Sequence, residues 1–280
     1  MIDCPTVSKN VIRGHYDLST LFYRLLWGQH IHHGLWADSA CRESPRVAQL
    51  NLTKTLAVEA GIQSGQRVLD VGCGMGGSSI YLADKLDCEV TGVTISPFQR
   101  RWAANSARWQ RVAGKTTFLC ADAEKIQFPP ESFDVVWSIE CTEHLFDKPQ
   151  FFSKAAQWLR PGGHVVICAW LAGDAPQSAQ AVQQVYDVCE GFFCPSLGTR
   201  EDYQQWMMQS GLEFKRYHDW TERVAKTWEI CDRRVKRTGV RWLARAIDKG
   251  SVVFLDRFNT ILQAYRTGAM RYGCFVARKS

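Results

Sequence analysis

Eight consecutive residues carry the first chemical signal: Asp70-Val71-Gly72-Cys73-Gly74-Met75-Gly76-Gly77. Glycines permit positive φ and close approach of the backbone to a ligand, and a helix opening after such a loop presents free N–H groups. The bland alternative is a tight strand-to-helix turn. The spacing Gly72-x-Gly74-x-x-Gly77 also fits the dinucleotide fingerprint, which expects an acid at the end of the second strand; Thr94 stands there. Asp70 discriminates further, because a carboxylate beside the loop repels a pyrophosphate and suits a ligand with a cationic amino group. S-adenosylmethionine is such a ligand, with an ammonium, a sulfonium and no phosphate. Ala121-Asp122-Ala123-Glu124 then offers a carboxylate to an adenine amino group, and a further strand runs into Ser138-Ile139-Glu140.

Alternating strands and helices must position these residues. Arg67–Val71 reads as an apolar strand bounded by Gly65 and Gly72, with a helix following over 78–86. Residues 88–93 form a second strand. Ser96-Pro97-Phe98-Gln99 supplies an N-cap, a proline in the first turn and a glutamine for a capping box. Phe98, Trp102, Trp109 and Val112 predict that helix's apolar face, which places Trp102 and Trp109 in the core. Thr116–Cys120, 133–138 and 164–170 are three more strands. The helix before the last of these carries Ala155 and Trp158, a third core tryptophan, and stops at Arg160-Pro161-Gly162-Gly163. Leu212–Asp219 and Met270–Lys279 complete seven strands, separated by a helical stretch over 221–267 interrupted near Gly239 and Gly250.

The expected fold is therefore α/β. A seven-stranded, mostly parallel, Rossmann-like sheet carries a helical cap from the N-terminus and a helical insertion before its last strand. The expected parts are a cap over 1–62, a binding core over 63–173, and substrate-side helices with the last two strands over 174–280, continuous with the core. Ligands in such sheets bind beyond the carboxyl ends of the strands.

The chain has 280 residues, 46% hydrophobic and 22% charged, which excludes disorder, collagen and coiled coil and predicts a soluble globular protein. The longest apolar run, 165–172, is well short of the roughly 18 residues of a membrane span, and the first ten residues have no apolar signal core. Eleven cysteines, with no C-x-x-C pair, predict free thiols in a reducing, cytoplasmic compartment and no metal site. Lysines and arginines (34) exceed acids (28) by six. Nine bases against four acids lie within 222–249, densest at Arg233-Arg234-Val235-Lys236-Arg237. This segment is either a solvated helix face or a peripheral membrane contact using Val240, Trp242 and Leu243. No nucleic-acid module is present, so no nucleic-acid partner is expected.

The strings VLDVGCGMGGSSIYLA, GVTISPFQ, ADAEKIQFPPESFDVVWSIECTEH and LRPGGHVVI resemble the motifs of class I S-adenosylmethionine-dependent methyltransferases, most of all the gamma-tocopherol methyltransferase group and its small-molecule relatives. The resemblance extends to a lid segment with Tyr16-Asp17 and Trp27-Gly28-Gln29-His30-Ile31-His32-His33-Gly34, and to Asp219-Trp220-Thr221-Glu222 and Met270-Arg271-Tyr272-Gly273. It implies that Gly72, Cys73 and Gly74 cradle the methionine end above Asp70. Thr94, Ile95 and Gln99 would stand at the ribose, Asp122 and Ala123 at the adenine, and Glu140 beside the cofactor. His32 and His33 would close over it. The Thr-Ile-Ser-Pro-x-Gln form is also similar to cyclopropane fatty-acid synthases, which bring a cysteine near the position of Gly34.

The implied reaction transfers a methyl group to a small lipophilic acceptor, aromatic or prenylated, at carbon, oxygen or nitrogen. The alternatives are methylation or cyclopropanation of a lipid or isoprenoid chain, and a non-catalytic cofactor-binding protein. Aligning the acceptor with the methyl carbon in a dry pocket is worth on the order of 7–11 kcal/mol. An acidic acceptor also needs a base. His144 is the first candidate, since imidazole titrates near neutrality, and Glu143 the second; otherwise His144 simply bonds a loop carbonyl. Tyr16, Trp27, Trp36, Trp170, Trp220 and Trp228 are the candidate pocket residues, with core filling as the plain alternative.

Overall fold

Runs rich in β-branched and apolar residues, punctuated by glycine and by serine or threonine caps, become the strands and helices of an α/β sandwich. The computed structural model describes residues 1–9, 12, 14, 28, 30–38, 40–174, 177–238 and 249–280. In chain order the elements are β1 (Ile2–Asp3), α1 (Pro45–Glu59), β2 (Arg67–Val71), α2 (Gly77–Lys85), β3 (Glu89–Thr94), α3 (Pro97–Trp109) and β4 (Thr116–Cys120). They continue with β5 (Phe133–Ile139), α4 (Lys148–Trp158), β6 (Leu159–Ala172), α5 (Ala179–Phe192), β7 (Ser196–Leu197) and α6 (Arg200–Gln209). The last four are β8 (Leu212–Asp219), α7 (Thr221–Thr238), α8 (Lys249–Thr267) and β9 (Met270–Lys279).

The main sheet has seven strands in the order β4-β3-β2-β5-β6-β9-β8. Strands β2 to β6 pair in parallel, whereas β9 runs antiparallel between β6 and β8. The helical insertion before the last strand is α7 with α8, as expected. A small pairing of β1 with β7, absent from the expectations, ties the N-terminus to the far half of the chain. Alternation along the central strands separates two cores. Val68, Val135, Trp137, Val166 and Cys168 face α1, α2, α5, α7 and α8. Leu69, Val71, Val136, Val165 and Ile167 face α4 and α6. Burial on both faces is why these strands read as continuous apolar runs.

Side-chain caps, the predicted Ser96 among them, close several helix ends. Ser44 accepts from the Val47 N–H at 3.4 Å, and Ser96 from the Gln99 N–H at 3.1 Å. Thr199 and Asp202 form a reciprocal capping box. Two boundaries differ from expectation. Arg160-Pro161-Gly162-Gly163 belongs to β6, where the register with β5 shifts between Phe133 and Val135, so a bulge does the work expected of a loop. Gly250 lies inside α8, while Gly239 is outside the described residues.

The apolar face expected on α3 is a correction. Its buried positions are Gln99, Ala103 and Ala107, whereas Trp109 is 88% exposed and Phe98 36%. The glycine loop crowds this helix: a Cβ on Gly76 would lie 2.9 Å from the Ala103 Cβ. Only small side chains fit there, and the large rings occupy another side. Trp158 is 1% exposed, as expected. Trp158→Ala should therefore cost about 3–5 kcal/mol in urea unfolding, whereas Trp109→Ser should stay within about 0.5 kcal/mol of the parent chain.

Candidate active site

The loop after β2 is pinned to the end of β3. The N–H groups of Gly72 and Cys73 both donate to the Val93 carbonyl, at 2.9 and 3.0 Å. Gly72 has φ +80°, and a Cβ there would collide with Cys141. Gly74 has φ +51° but faces open space, so the loop has a floor that admits nothing larger and a rim that leaves room for a ligand. Beneath it, buried Asp70 accepts from the Ser79 hydroxyl at 2.5 Å, joining β2 to α2. Burial pushes its carboxyl up to about 6 against the opposing pull of Ser79.

A cavity of about 790 Å³, counting its mouth, opens at the carboxyl ends of β2 to β5. It is lined by nine of the expected residues: Gly72, Gly74, Thr94, Ile95, Gln99, Asp122, Ala123, Glu140 and His144. Lys9, Ile12, Ile31, Glu124, Ile139, Cys141 and Leu145 are also on its wall. A recess of about 350 Å³ shares Gly72, Gly74, Ile31 and Ile139 with it and adds Asp70, Cys73 and His32. Where a ribose acid would stand, the Thr94 hydroxyl donates to the Gln99 side-chain oxygen at 2.8 Å, fixing the carboxamide at the first turn of α3.

Lys9 is the site residue that sequence reasoning missed. Its ammonium pairs with Asp122 at 2.6 Å and Glu124 at 2.7 Å. Burial lowers the Lys9 pKa, but the two carboxylates outweigh it and leave the pKa raised. Nothing local distinguishes this lysine, which meets its partners across more than a hundred residues. Glu124 also accepts the N–H groups of Phe146 and Asp147 at 3.0 and 2.7 Å, holding the loop ahead of α4.

Glu140 directly follows β5 with φ +52°, a left-handed conformation uncommon outside glycine. One carboxylate oxygen accepts from the His33 N–H at 2.8 Å and the Tyr272 hydroxyl at 2.7 Å. The other pairs with His33 Nδ1 at 2.9 Å. Burial would raise the Glu140 pKa, but the His33 charge and these bonds hold it at about 2. His32 lies alongside, its Nδ1–H donating to the His33 carbonyl at 2.8 Å, and burial lowers its pKa.

The described tryptophans of the expected substrate pocket do not line the cavity. Trp170 and Trp228 pack edge-on to the His33 ring, at 5.7 and 5.1 Å between centroids, and Tyr272 and Tyr265 complete the box. Trp36 is buried with its indole N–H donating to the Glu43 carbonyl at 3.1 Å, and buried Trp220 stacks on His218. Their rings fill the space between the cap, α7 and the sheet, leaving none on the cavity wall. Tyr16 and Trp27 lie outside the described residues.

The two candidate bases differ in kind. His144 lines the cavity, with Nδ1 3.1 Å from the Phe193 carbonyl. Nδ1–H is therefore the donor and Nε2 carries the lone pair. Burial pushes the imidazole down to about 4, so it is neutral at physiological pH. Glu143 is buried off the cavity, one oxygen accepting the Trp170 N–H at 2.8 Å. Its other oxygen has no hydrogen-bond partner among the described residues. Burial raises this carboxyl to about 8, which makes it a poor base at neutral pH.

The lining suits S-adenosylmethionine. Gly74 leaves a cradle that a side chain would fill, carboxylates lie around the loop, and the Lys9 ammonium on the wall is taken up by Asp122 and Glu124. Residues 69–167 match a family model described as a methyltransferase domain. The chloroplastic tocopherol O-methyltransferase of Arabidopsis thaliana is 30% identical over 283 residues, spanning 94% of this chain and 80% of the plant protein. The 27-O-demethylrifamycin SV methyltransferase of Amycolatopsis mediterranei is 34% identical over 222 residues, spanning 79% of this chain and 80% of that one. Among solved structures, the cyclopropane synthase MmaA2 from Mycobacterium tuberculosis superposes with a TM-score of 0.86 at 19% identity, covering 98% and 99% of the two chains. The chain belongs to the class I S-adenosylmethionine-dependent methyltransferases and is a small-molecule methyltransferase of that family.

Proposed function

We propose that the chain methylates a phenolic or similarly acidic hydroxyl on a small lipophilic aromatic acceptor, with His144 as the base. The carrying observation is the His144 ring on the cavity wall, neutral and held by the Phe193 carbonyl in the tautomer that puts the lone pair on Nε2. Ile12, Ile31, Ile139 and Leu145 on the same wall suit an apolar acceptor, and the two relatives above are named for tocopherol and a demethylrifamycin. S-adenosylmethionine supplies an electrophilic methyl carbon. Gly72, Cys73 and Gly74 would hold its methionine end, Gln99 its ribose, and Asp122 with Ala123 its adenine. His33 acts through Glu140, and Asp70 supports the loop. Nε2 takes the acceptor's proton as the oxygen attacks, and the apolar walls exclude water.

Cyclopropanation of a lipid chain is disfavoured at Gly34. A Cβ there would lie 2.7 Å from both the Ala48 Cβ and the Trp36 ring, so a cysteine does not fit. Membrane contact through 222–249 also loses support in its described half. Val224, Trp228, Cys231 and Val235 of α7 are buried in the core while Arg233, Lys236 and Arg237 face solvent. Val240, Trp242 and Leu243 lie outside the described residues. Eleven free thiols support a reducing compartment.

A labelled-methyl assay against phenols, prenyl diphosphates, sterols and amines, paired with calorimetric titration of S-adenosylmethionine, tests the function. Binding with no labelled product would leave a cofactor-binding protein instead. His144→Ala should lower turnover on the identified acceptor at least tenfold, to the order of a lost general base, with cofactor affinity kept. The wild-type rate should stay level from neutral pH down to about pH 5, because the base titrates below the ordinary imidazole range; an inflection in that range would remove His144 from the role.

Gly74→Ala should lose about 1–2 kcal/mol of stability through its positive φ but still fold, and bind S-adenosylmethionine about tenfold more weakly because its methyl enters the cradle, whereas Gly72→Ala should lose more stability, through the same strain plus the clash with Cys141. Glu143 gives a pH signature. Its folded pKa, about 8, exceeds the ordinary 4.5, so the folded chain keeps a proton that the unfolded chain releases. Stability from this group is full at low pH and declines as pH rises toward 8. Asp70 behaves alike but completes its decline near its own value of about 6. Glu143→Gln should therefore flatten the fall in stability between those two values, read by urea unfolding across pH, and leave turnover intact.

A further inference from the structure

The face of α3 opposite Ala103 and Ala107 carries large rings beside basic residues. At 100° per residue, Phe98, Trp102 and Trp109 fall within about 40° of one another around the helix, and Arg101 and Arg108 lie about 60–80° to one side. The Phe98 and Trp102 rings are 6.2 Å apart, and Trp109 is 88% exposed. From 97 to 121 the sequence holds Arg100, Arg101, Arg108, Arg111 and Lys115 and no acid at all. Lys115 pairs with Asp87, while no ion pair joins any of the four arginines to another described residue. From this stripe of rings, with Trp109 exposed, beside arginines that carry no ion pair among the described residues, we infer that α3 is a peripheral docking surface for an anionic lipid bilayer.

Trp and Phe rings settle at the headgroup level of a bilayer, and arginines beside them are drawn to anionic headgroups. Among the described residues no helix is long and apolar enough to cross a membrane, so the contact lies on the surface. A second copy fits less well, since three rings on one helix fall far short of the roughly 800 Å² per partner of a stable protein interface. The first turn of this helix also carries Gln99 on the cavity wall, so a bilayer held by the stripe lies within the roughly 20 Å of a 13-residue helix from the site. That placement suits an acceptor dissolved in lipid.

The test is co-sedimentation with phosphatidylcholine vesicles, with and without added phosphatidylglycerol. The expected result is pelleting on the anionic vesicles only. Trp109→Ser should weaken it about tenfold through lost apolar insertion, and Arg101→Gln with Arg108→Gln about thirtyfold, at roughly fivefold per arginine. Calorimetric titration of S-adenosylmethionine should be unchanged in every variant, which establishes that each is folded. Equal pelleting on both vesicle types, pelleting on neither, or wild-type binding by the variants overturns the inference. So does self-association in sedimentation velocity that Trp109→Ser abolishes while vesicles are ignored, which would assign the stripe to a second copy.

Discussion

The buried carboxylate of Glu140 is the constraint around which this molecule is assembled. A carboxylate out of water is tolerable only when its oxygens are bonded and its charge is met, and loss of one partner costs on the order of 3–5 kcal/mol. Here the partners come from opposite ends of the chain: the backbone and ring of His33 from the cap, and the hydroxyl of Tyr272 from β9. The backbone takes a left-handed turn to present the side chain, and its N–H is held by the Cys168 carbonyl of β6 at 2.8 Å. One side chain thus joins the cap, the centre of the sheet and its antiparallel strand, and also forms part of the cavity wall.

Charge around the cavity follows from the same economy. Four carboxylates face or underlie it, and they are handled in three ways. Asp70 is buried with one serine and drifts toward neutrality. Asp122, with its neighbour Glu124, is countered by Lys9. Glu140 is countered by His33. A cationic cofactor therefore meets a wall that is acidic in kind but already compensated. On the proposed cofactor pose, Asp122 would accept from the adenine amino group as well as from Lys9, and one carboxylate would couple cofactor entry to the seating of the N-terminal segment. The neutral His144 is bonded to a carbonyl through Nδ1 rather than to one of these acids.

Much of this was legible in the sequence because its signals are local. Glycine-bounded apolar runs gave five parallel strands within a residue or two, apart from the extended start of β6. Ser96 marked a helix start through cap chemistry that needs only neighbours. Asp70 beside its glycines spoke of ligand charge without any tertiary information. What was illegible depends on long-range contact. No pattern in the sequence pairs His33 with Glu140 or Lys9 with Asp122, and nothing marks Glu140 as left-handed. The tryptophans misled for a related reason: Trp170 and Trp228 lie in the expected region, but their rings are spent around His33 instead of on the cavity wall.

The misreading of α3 shows how the cofactor loop reaches beyond its own site. Helical periodicity weighs residues by size and apolarity, so it picked the face with Phe98, Trp102 and Trp109. The structure picks the face by clearance. A loop that wraps a ligand closely needs Gly76 near the helix, and a Cβ there would meet the Phe118 ring at 3.1 Å as well as Ala103. The helix can approach that loop only with small residues, and Ala103 and Ala107 are what the sequence supplies. Burying the tryptophans would push α3 off the sheet and pull Gln99 away from the cavity. The exposed Trp109 ring is thus the consequence of a ligand-binding turn that has no room for it.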